Sequence, residues 1–472
     1  MIRYRSVIPG LSRSPVAAAI ALAVAAVTLG VSLQIADGFY EPRALRTLSV
    51  ALVLTLGGVA MMPRNAVDHH AGWIMRLVLT AGIVLQLAVL FRANPGMYLE
   101  PGARLELFAA GIALEGALVV IGSSGLRQSA RWWFPAVLAL NLALGVWMLK
   151  ASPNPKIDVV EVHQTALRAL GRGRNPYRIT FRNIYGQNSG FYNPEAVAGD
   201  RVLFGYPYPP LSLLVAAPGQ LIFKDYRYAE LAALVAAAAL IGFTGASVLS
   251  QLTAVLLLTT PRVFFVLEQG WTEPIAVLML AATTWAMIRR PRWSPWIAGL
   301  LTVTKQYLGL AAPLLLKFGS TQRDGWKPFV ARAAIAAGAV TLPFLFWNVR
   351  AFMDTVILLQ TKEPFRIDSL SFVSWAARAG WGEGSFIWAG ATAAVALAFV
   401  LTWLPNTAAG FVGGLALASF ATFAMGSKAF CNYYFFVVGA LCCAIAAVLA
   451  PATARLDNLP HDPQTDGEQK AN

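Results

Sequence analysis

The residues of this chain best placed to do chemistry stand at the edges of its apolar segments. Asp158 follows an apolar run and is succeeded by Glu161 and then His163-Gln164. Positions three apart share a face of a helix, so the segment predicts two carboxylates on one face. Such a carboxylate could take a proton from a substrate hydroxyl if burial or a second acid lifts its pKa toward neutrality. The alternative is an amphipathic helix lying on a membrane with both acids in water. Lys305-Gln306 interrupts another apolar run near its middle, and Glu268-Gln269, Glu273, Arg366, Asp368, Lys428 and Asn432 stand at the ends of others. Arg366 and Asp368 fit an ordinary surface pair as well as a site. Lys428, four residues before Asn432-Tyr433-Tyr434, fits a boundary anchor equally well.

The histidines are His69, His70, His163 and His461, and no HExxH-like spacing links them to a carboxylate. Cys431, Cys442 and Cys443 share one late apolar segment, with no CxxC pair to hold zinc and no disulfide framework. No cofactor is expected, and a divalent metal is compatible with the sequence without being indicated by it.

The elements that must position these groups follow from composition. Of 472 residues, 57% are apolar and only 13% charged, about half the charged share of an ordinary soluble domain. That argues against a soluble enzyme and for a bilayer as solvent. The net charge of +14 reads as Lys and Arg gathered in cytoplasmic loops, with no nucleic-acid partner expected. Apolar runs near 16–35, 45–62, 73–91, 105–122 and 132–149 predict five spans from a cytoplasmic N-terminus. Arg64, Arg127 and Arg131 then fall on the cytoplasmic side. The following stretch, 150–206, is polar and far longer than a usual connection of roughly 4 to 6 residues. It carries an amphipathic pattern over 159–170 and turn chemistry at Asn175-Pro176 and Asn193-Pro194, which predicts an ordered, functional loop.

Beyond it, runs near 210–223, 229–244, 246–267 and 274–288 end at Arg289, Arg290 and Arg292. Keeping that cluster cytoplasmic requires one of the four not to cross, and the short Pro-bounded 210–223 is the expected exception. The segment 293–317 has basic residues at both ends, which suits two short helices meeting at Lys305. A single tilted span with a snorkelling lysine is the alternative. Further spans are expected near 329–347, 385–403, 408–425 and 433–449, before a disordered cytoplasmic tail, 451–472. The expected fold is all-α: a polytopic helical membrane protein with about 11–13 transmembrane helices and a large extracytoplasmic loop.

Asp158, the helical stretch into Leu170-Gly171, Asn175-Pro176-Tyr177 and then Tyr206-Pro207-Tyr208-Pro209-Pro210-Leu211 follow one another in that order. This order resembles the first large loop of the GT-C superfamily of membrane glycosyltransferases, and within it glycosyltransferase family 87. There an Asp at the membrane exit, a Gly-x-x-Pro-Tyr-like turn and a Tyr-Pro-Pro-Leu-like return recur in sequence. Leu267-Glu268-Gln269-Gly270 is similar to the family's Gly-Gln-like turn with its order changed. Thr304-Lys305-Gln306-Tyr307 takes the place of its Lys-Pro-like helix break without the proline. The resemblance covers about 132–449. It makes 131–450 a GT-C-like membrane core with its loop at 150–206, preceded by a four-helix membrane extension, 1–130, that the simplest family pattern lacks.

The resemblance implies a mannosyltransferase- or arabinosyltransferase-like enzyme of the cell envelope. Its donor would be a polyprenyl-phosphate sugar and its acceptor a glycan or glycolipid, joined by single displacement on the extracytoplasmic face of the plasma or inner membrane. Asp158 would be the catalytic base, with Glu161 the nearest alternative. His163, Asn175, Tyr177, Tyr208, Glu268, Gln269, Gln306, Asp368 and Asn432 would line the substrate site. A departing phosphate needs cations, for which Lys305, Arg366 and Lys428 are the candidates. The rival readings are a transporter or flippase of a lipid-linked sugar, which should show internal repeats that this sequence lacks, and a non-catalytic subunit of an envelope-assembly complex.

Overall fold

The computed structural model describes residues 14–63, 72–124, 131–187, 189–320, 322 and 325–450. Arg64, Arg127, His69, His70, His461 and the tail 451–472 lie outside the described residues. Helices dominate, and the strands among the described residues are three two-residue pieces inside the polar loop. Among the described residues eight helices are long and apolar enough to cross a membrane: Pro15–Ala36, Pro42–Ala60, Gly72–Arg92, Leu105–Ser123, Trp133–Ala151, Arg227–Gly245, Trp326–Trp347 and Cys431–Val448. Shorter apolar helices are Pro210–Phe223, Val248–Leu258, Ile387–Trp403 and Ala408–Ala424. The chain is an all-α polytopic membrane protein.

Local chemistry starts these helices where the apolar runs begin. Ser14 accepts the Ala17 N–H at 3.3 Å and Pro15 opens the first helix, while Glu41 accepts from the N–H groups of Arg43 and Ala44 ahead of the second. Burial then sorts them. In Cys431–Val448 94% of the spanning window is buried, against 11% in Trp326–Trp347, so the first is the centre of the bundle and the second a peripheral helix. The outer helices turn Phe346 and Val395, each more than two-thirds exposed, away from the protein, as expected where lipid tails replace water. Pro15–Ala36 packs on Cys431–Val448, and Gly72–Arg92 on Val248–Leu258. The first four helices therefore share one continuous apolar core with the rest.

Inter-segment bonds define two ends of the bundle. At one, Asp37 pairs with Arg262, Tyr40 N–H donates to Asp368 O at 2.8 Å, Tyr98 Oη to Lys156 O at 3.2 Å, and Leu370 N–H to Ala429 O at 2.8 Å. The polar loop belongs to this end. At the other, Trp403 Nε1 donates to Ala60 O at 3.1 Å and Arg289 Nε to Thr244 O at 2.8 Å. A cavity there is lined jointly by Arg289–Trp293, Phe318, Phe329 and Asn406–Ala408.

Two irregular segments follow from this map. Pro210–Phe223 has both flanks at the loop end: Tyr206 Oη lies 2.9 Å from Ser212 Oγ, and Arg227 donates to Ser152 O at 2.9 Å. It does not traverse the bundle. The stretch 293–319 forms two nine-residue helices, Ser294–Thr302 and Ala311–Gly319, with Lys305 between them and their outer ends together at the opposite end. It enters and returns. The single tilted span is not what the chain adopts.

Candidate functional site

The loop is an ordered cap with its own apolar cluster, built from Val162, Ala166 and Leu167 of the helix Asp158–Gly171 together with Tyr177, Phe181, Val202, Tyr206 and Tyr226. Most of the expected site residues near it hold it together. His163 is fully buried, stacks on Tyr226 at 4.7 Å between ring centres, and has Nε2 2.8 Å from Tyr206 Oη. Burial, aided by the charge of Lys305, lowers its pKa to about 3, so the ring is neutral. Asn175 accepts the Tyr177 N–H at 2.8 Å, and Tyr177 Oη donates to Tyr208 O at 3.0 Å. Gln306 donates to Pro207 O and, at 3.3 Å, to Val356 O.

Asp158 opens the loop helix, where the helix dipole favours a carboxylate. Tyr192 Oη donates to its Oδ2 at 2.8 Å and Tyr185 Oη to Oδ1 at 3.3 Å. Side-chain burial raises the Asp158 pKa, Tyr192 and the Val159 N–H pull it back, and Glu363 pushes it up again. The result is a carboxyl that holds a proton more readily than one in water. Glu161, one turn on, takes a different direction: it accepts from Thr165 Oγ1 at 3.2 Å and lines a separate cavity. The two acids do not form a dyad.

Around Asp158 stand two paired cations. Lys428 Nζ lies 2.6 Å from Glu363, and burial lowers its pKa while Glu363 opposes the shift. Both Asp158 and Arg366 are within electrostatic reach of this lysine. Arg366 bonds Asp368 in bidentate fashion at 2.8 and 2.6 Å. Its guanidinium sits 4.4 Å from the Phe191 ring and 4.8 Å from that of Phe430. Phe191 in turn stacks on Tyr185 at 4.3 Å, which ties Arg366 to the ring that bonds Asp158. A carboxyl with raised pKa, two cations and aromatic faces therefore meet in one place.

Lys305, Glu268 and Asn432 lie deeper. Lys305, 4% exposed, meets Glu273 Oε1 at 3.0 Å and lies 4.2 Å from the Tyr208 ring centre. Asn432 Nδ2 donates to the same Glu273 oxygen at 3.0 Å, and Glu230 stands beside the pair. Lys305 thus has a carboxylate partner within the protein. Glu268 accepts the N–H groups of Met97 and Tyr98, both at 2.7 Å, and Gln269 Nε2 at 3.2 Å. It clamps the connection 93–104 to the bundle, so its observed partners are structural.

Tyr185, Tyr192 and Glu363 were visible in sequence only as loop aromatics and a loop acid; nothing in their spacing ties them to Asp158. The buried arginine that fastens three connections, Arg227, was likewise unmarked: it pairs with Asp225 at 2.7 Å and donates to Ser152 O and Glu268 O. The fold and site together define a polytopic helical membrane protein with an ordered polar cap over one end. No family model, curated protein or solved structure matches the chain.

Proposed function

We propose that this protein is a cell-membrane glycosyltransferase of GT-C type, resembling glycosyltransferase family 87. It would cross the membrane about 11–13 times and move a sugar from a polyprenyl-phosphate donor to a glycan or glycolipid hydroxyl on the extracytoplasmic face. The observation that carries the reading is the Asp158 carboxyl, raised in pKa by burial, held by Tyr185 and Tyr192, and set beside Lys428 and Arg366.

In this scheme the acceptor hydroxyl gives its proton to Asp158 as its oxygen attacks the anomeric carbon. The bond from that carbon to the phosphate oxygen breaks, and its electron pair leaves with the phosphate, so the anomeric configuration inverts. Lys428 and Arg366 stabilise the charge developing on the departing phosphate. The transfer assay that tests this uses membranes carrying the protein, a panel of radiolabelled polyprenyl-phosphate sugars and the Asp158→Asn variant. Labelled product that disappears with the variant supports the reading, and product formed equally by both refutes the role of Asp158.

A further inference from the structure

A cavity of about 740 Å³ opens at the loop end, beside Glu161. Six arginines border it: Arg168, Arg172, Arg174, Arg178, Arg182 and Arg201. None of the six forms an ion pair among the described residues, and the one acid in the lining, Glu161, bonds Thr165. Arg168 and Arg172 at a helix C-terminus suit its dipole. The others have no such reason.

Arg182 and Arg201 are direct cross-strand partners in an antiparallel pair, a placement in which like charges repel. Arg201 is held in position by bonds to Thr180 Oγ1 and Thr180 O, both 2.7 Å. Asn175 is 8% exposed and lines the same cavity, and its Nδ2 has no hydrogen-bond partner although its Oδ1 caps Tyr177. A buried donor left without an acceptor costs stability. Repelling cations at the rim of a cavity are relieved by an oxyanion with several acceptor oxygens.

The cavity's remaining wall fixes its level. Trp347, the last residue of the helix Trp326–Trp347, lines it, and the same helix exposes Ile335, Leu342 and Phe346 on its outer face. A tryptophan at the end of a spanning helix belongs at the headgroup level. We propose that this cavity is a phosphate-binding site for an anionic membrane lipid, whose headgroup phosphate meets the arginines while its chains run along the outer face of Trp326–Trp347. Asp158 does not line this cavity, and the side chain of its helix that does is Glu161, which points away from Tyr185 and Tyr192. The proposal goes beyond the transferase reading and stands without it.

The test uses the full-length protein and reads binding, not transfer. Inorganic pyrophosphate is titrated by calorimetry into detergent-solubilised protein. In parallel, thermal unfolding is compared in phosphatidylglycerol and in phosphatidylcholine nanodiscs. Wild type should unfold at higher temperature in phosphatidylglycerol and bind pyrophosphate with an affinity that falls as salt rises. Arg182→Gln/Arg201→Gln should weaken binding about tenfold or more, with the lost Thr180 bonds of Arg201 offsetting the relief of the cross-strand repulsion in the apo protein. Asn175→Asp keeps the Tyr177 cap but replaces the donor with a negative oxygen, and should abolish binding. Arg289→Gln/Arg292→Gln, at the opposite end, is the control and should change neither readout. Equal binding by wild type and the Arg182/Arg201 variant overturns the site. Pyrophosphate binding with no difference between the two nanodiscs overturns the lipid as its source and leaves a soluble phosphate in its place.

Discussion

Removing either partner of the Lys305–Glu273 pair should destabilise the protein strongly, and removing both should restore much of the loss. The two side chains are 5% and 0% exposed, and Nζ lies 3.0 Å from Oε1. At an effective dielectric constant of about 20, unit charges at that separation attract by roughly 5 to 6 kcal/mol. Breaking a buried pair by deleting one member costs about 3–5 kcal/mol, because the other charge stays buried without its partner. Lys305→Met leaves Glu273 with only the Asn432 amide as donor, and Oε2 has no partner at all. Glu273→Gln leaves the ammonium with the Tyr208 ring, a neutral amide and the more distant Glu230. The cycle of Lys305→Met, Glu273→Gln and the double variant is read by thermal or denaturant unfolding in one detergent. Each single variant should lose several kcal/mol, with a coupling of about 2 kcal/mol or more, above the range seen for independent sites. Additive losses in the double variant would refute the argument that the pair acts as a unit. So would a Lys305→Met protein as stable as wild type, the outcome expected if the ammonium were unpaired in the resting protein.

Asp158→Asn should lower turnover by about 10²- to 10⁴-fold with little change in donor binding, while Glu161→Gln, which faces the arginine cavity, should leave turnover near wild type. Asp158 also carries a stability signature. With its folded pKa raised above the unfolded value, its contribution is fully present below the unfolded carboxylate pKa and is lost as pH rises through the folded value. Asp158→Asn should therefore match wild type in unfolding experiments in acid and be the more stable protein at neutral pH. Glu268→Gln should cost about 1.5–3 kcal/mol in unfolding, because one of two charge-assisted bonds to backbone N–H is lost. An unchanged stability would free Glu268 for a substrate role. Cysteines placed at Ser189, in the loop, and at Ser320, exposed at the opposite end, should label from opposite sides of the membrane. Cys431, Cys442 and Cys443 are buried and should give little background. Labelling of both by an impermeant reagent outside intact cells would overturn the orientation.

The class of molecule was legible in the chain alone, because the length and apolarity of a run decide whether it suits a bilayer whatever its neighbours are. The same holds for the two irregular segments: basic residues flanking 293–317 on both sides and the parity around 210–223 are one-dimensional constraints, and the fold obeys them. The helix Asp158–Gly171 was also readable, since its apolar face repeats with helical period. What its side chains meet was not. Asp158 and Glu161 share a helix and a spacing, yet one is enclosed by Tyr185 and Tyr192 and the other opens onto arginines, because different stretches of the chain from 175 to 206 fold back against each. Lys305 was conspicuous as a charge in an apolar run, but its partner Glu273 is 32 residues away and Asn432 further still. Only helix packing brings those three together and gives the lysine a carboxylate partner inside the protein. Arginines 168 to 201 show the same limit: along the chain they are scattered basic residues of a polar loop, and the strand register that sets Arg182 against Arg201 is what concentrates their charge on one cavity. Charge and hydropathy are properties of position along the chain, whereas pairing, desolvation and pKa depend on distances that only the tertiary structure sets.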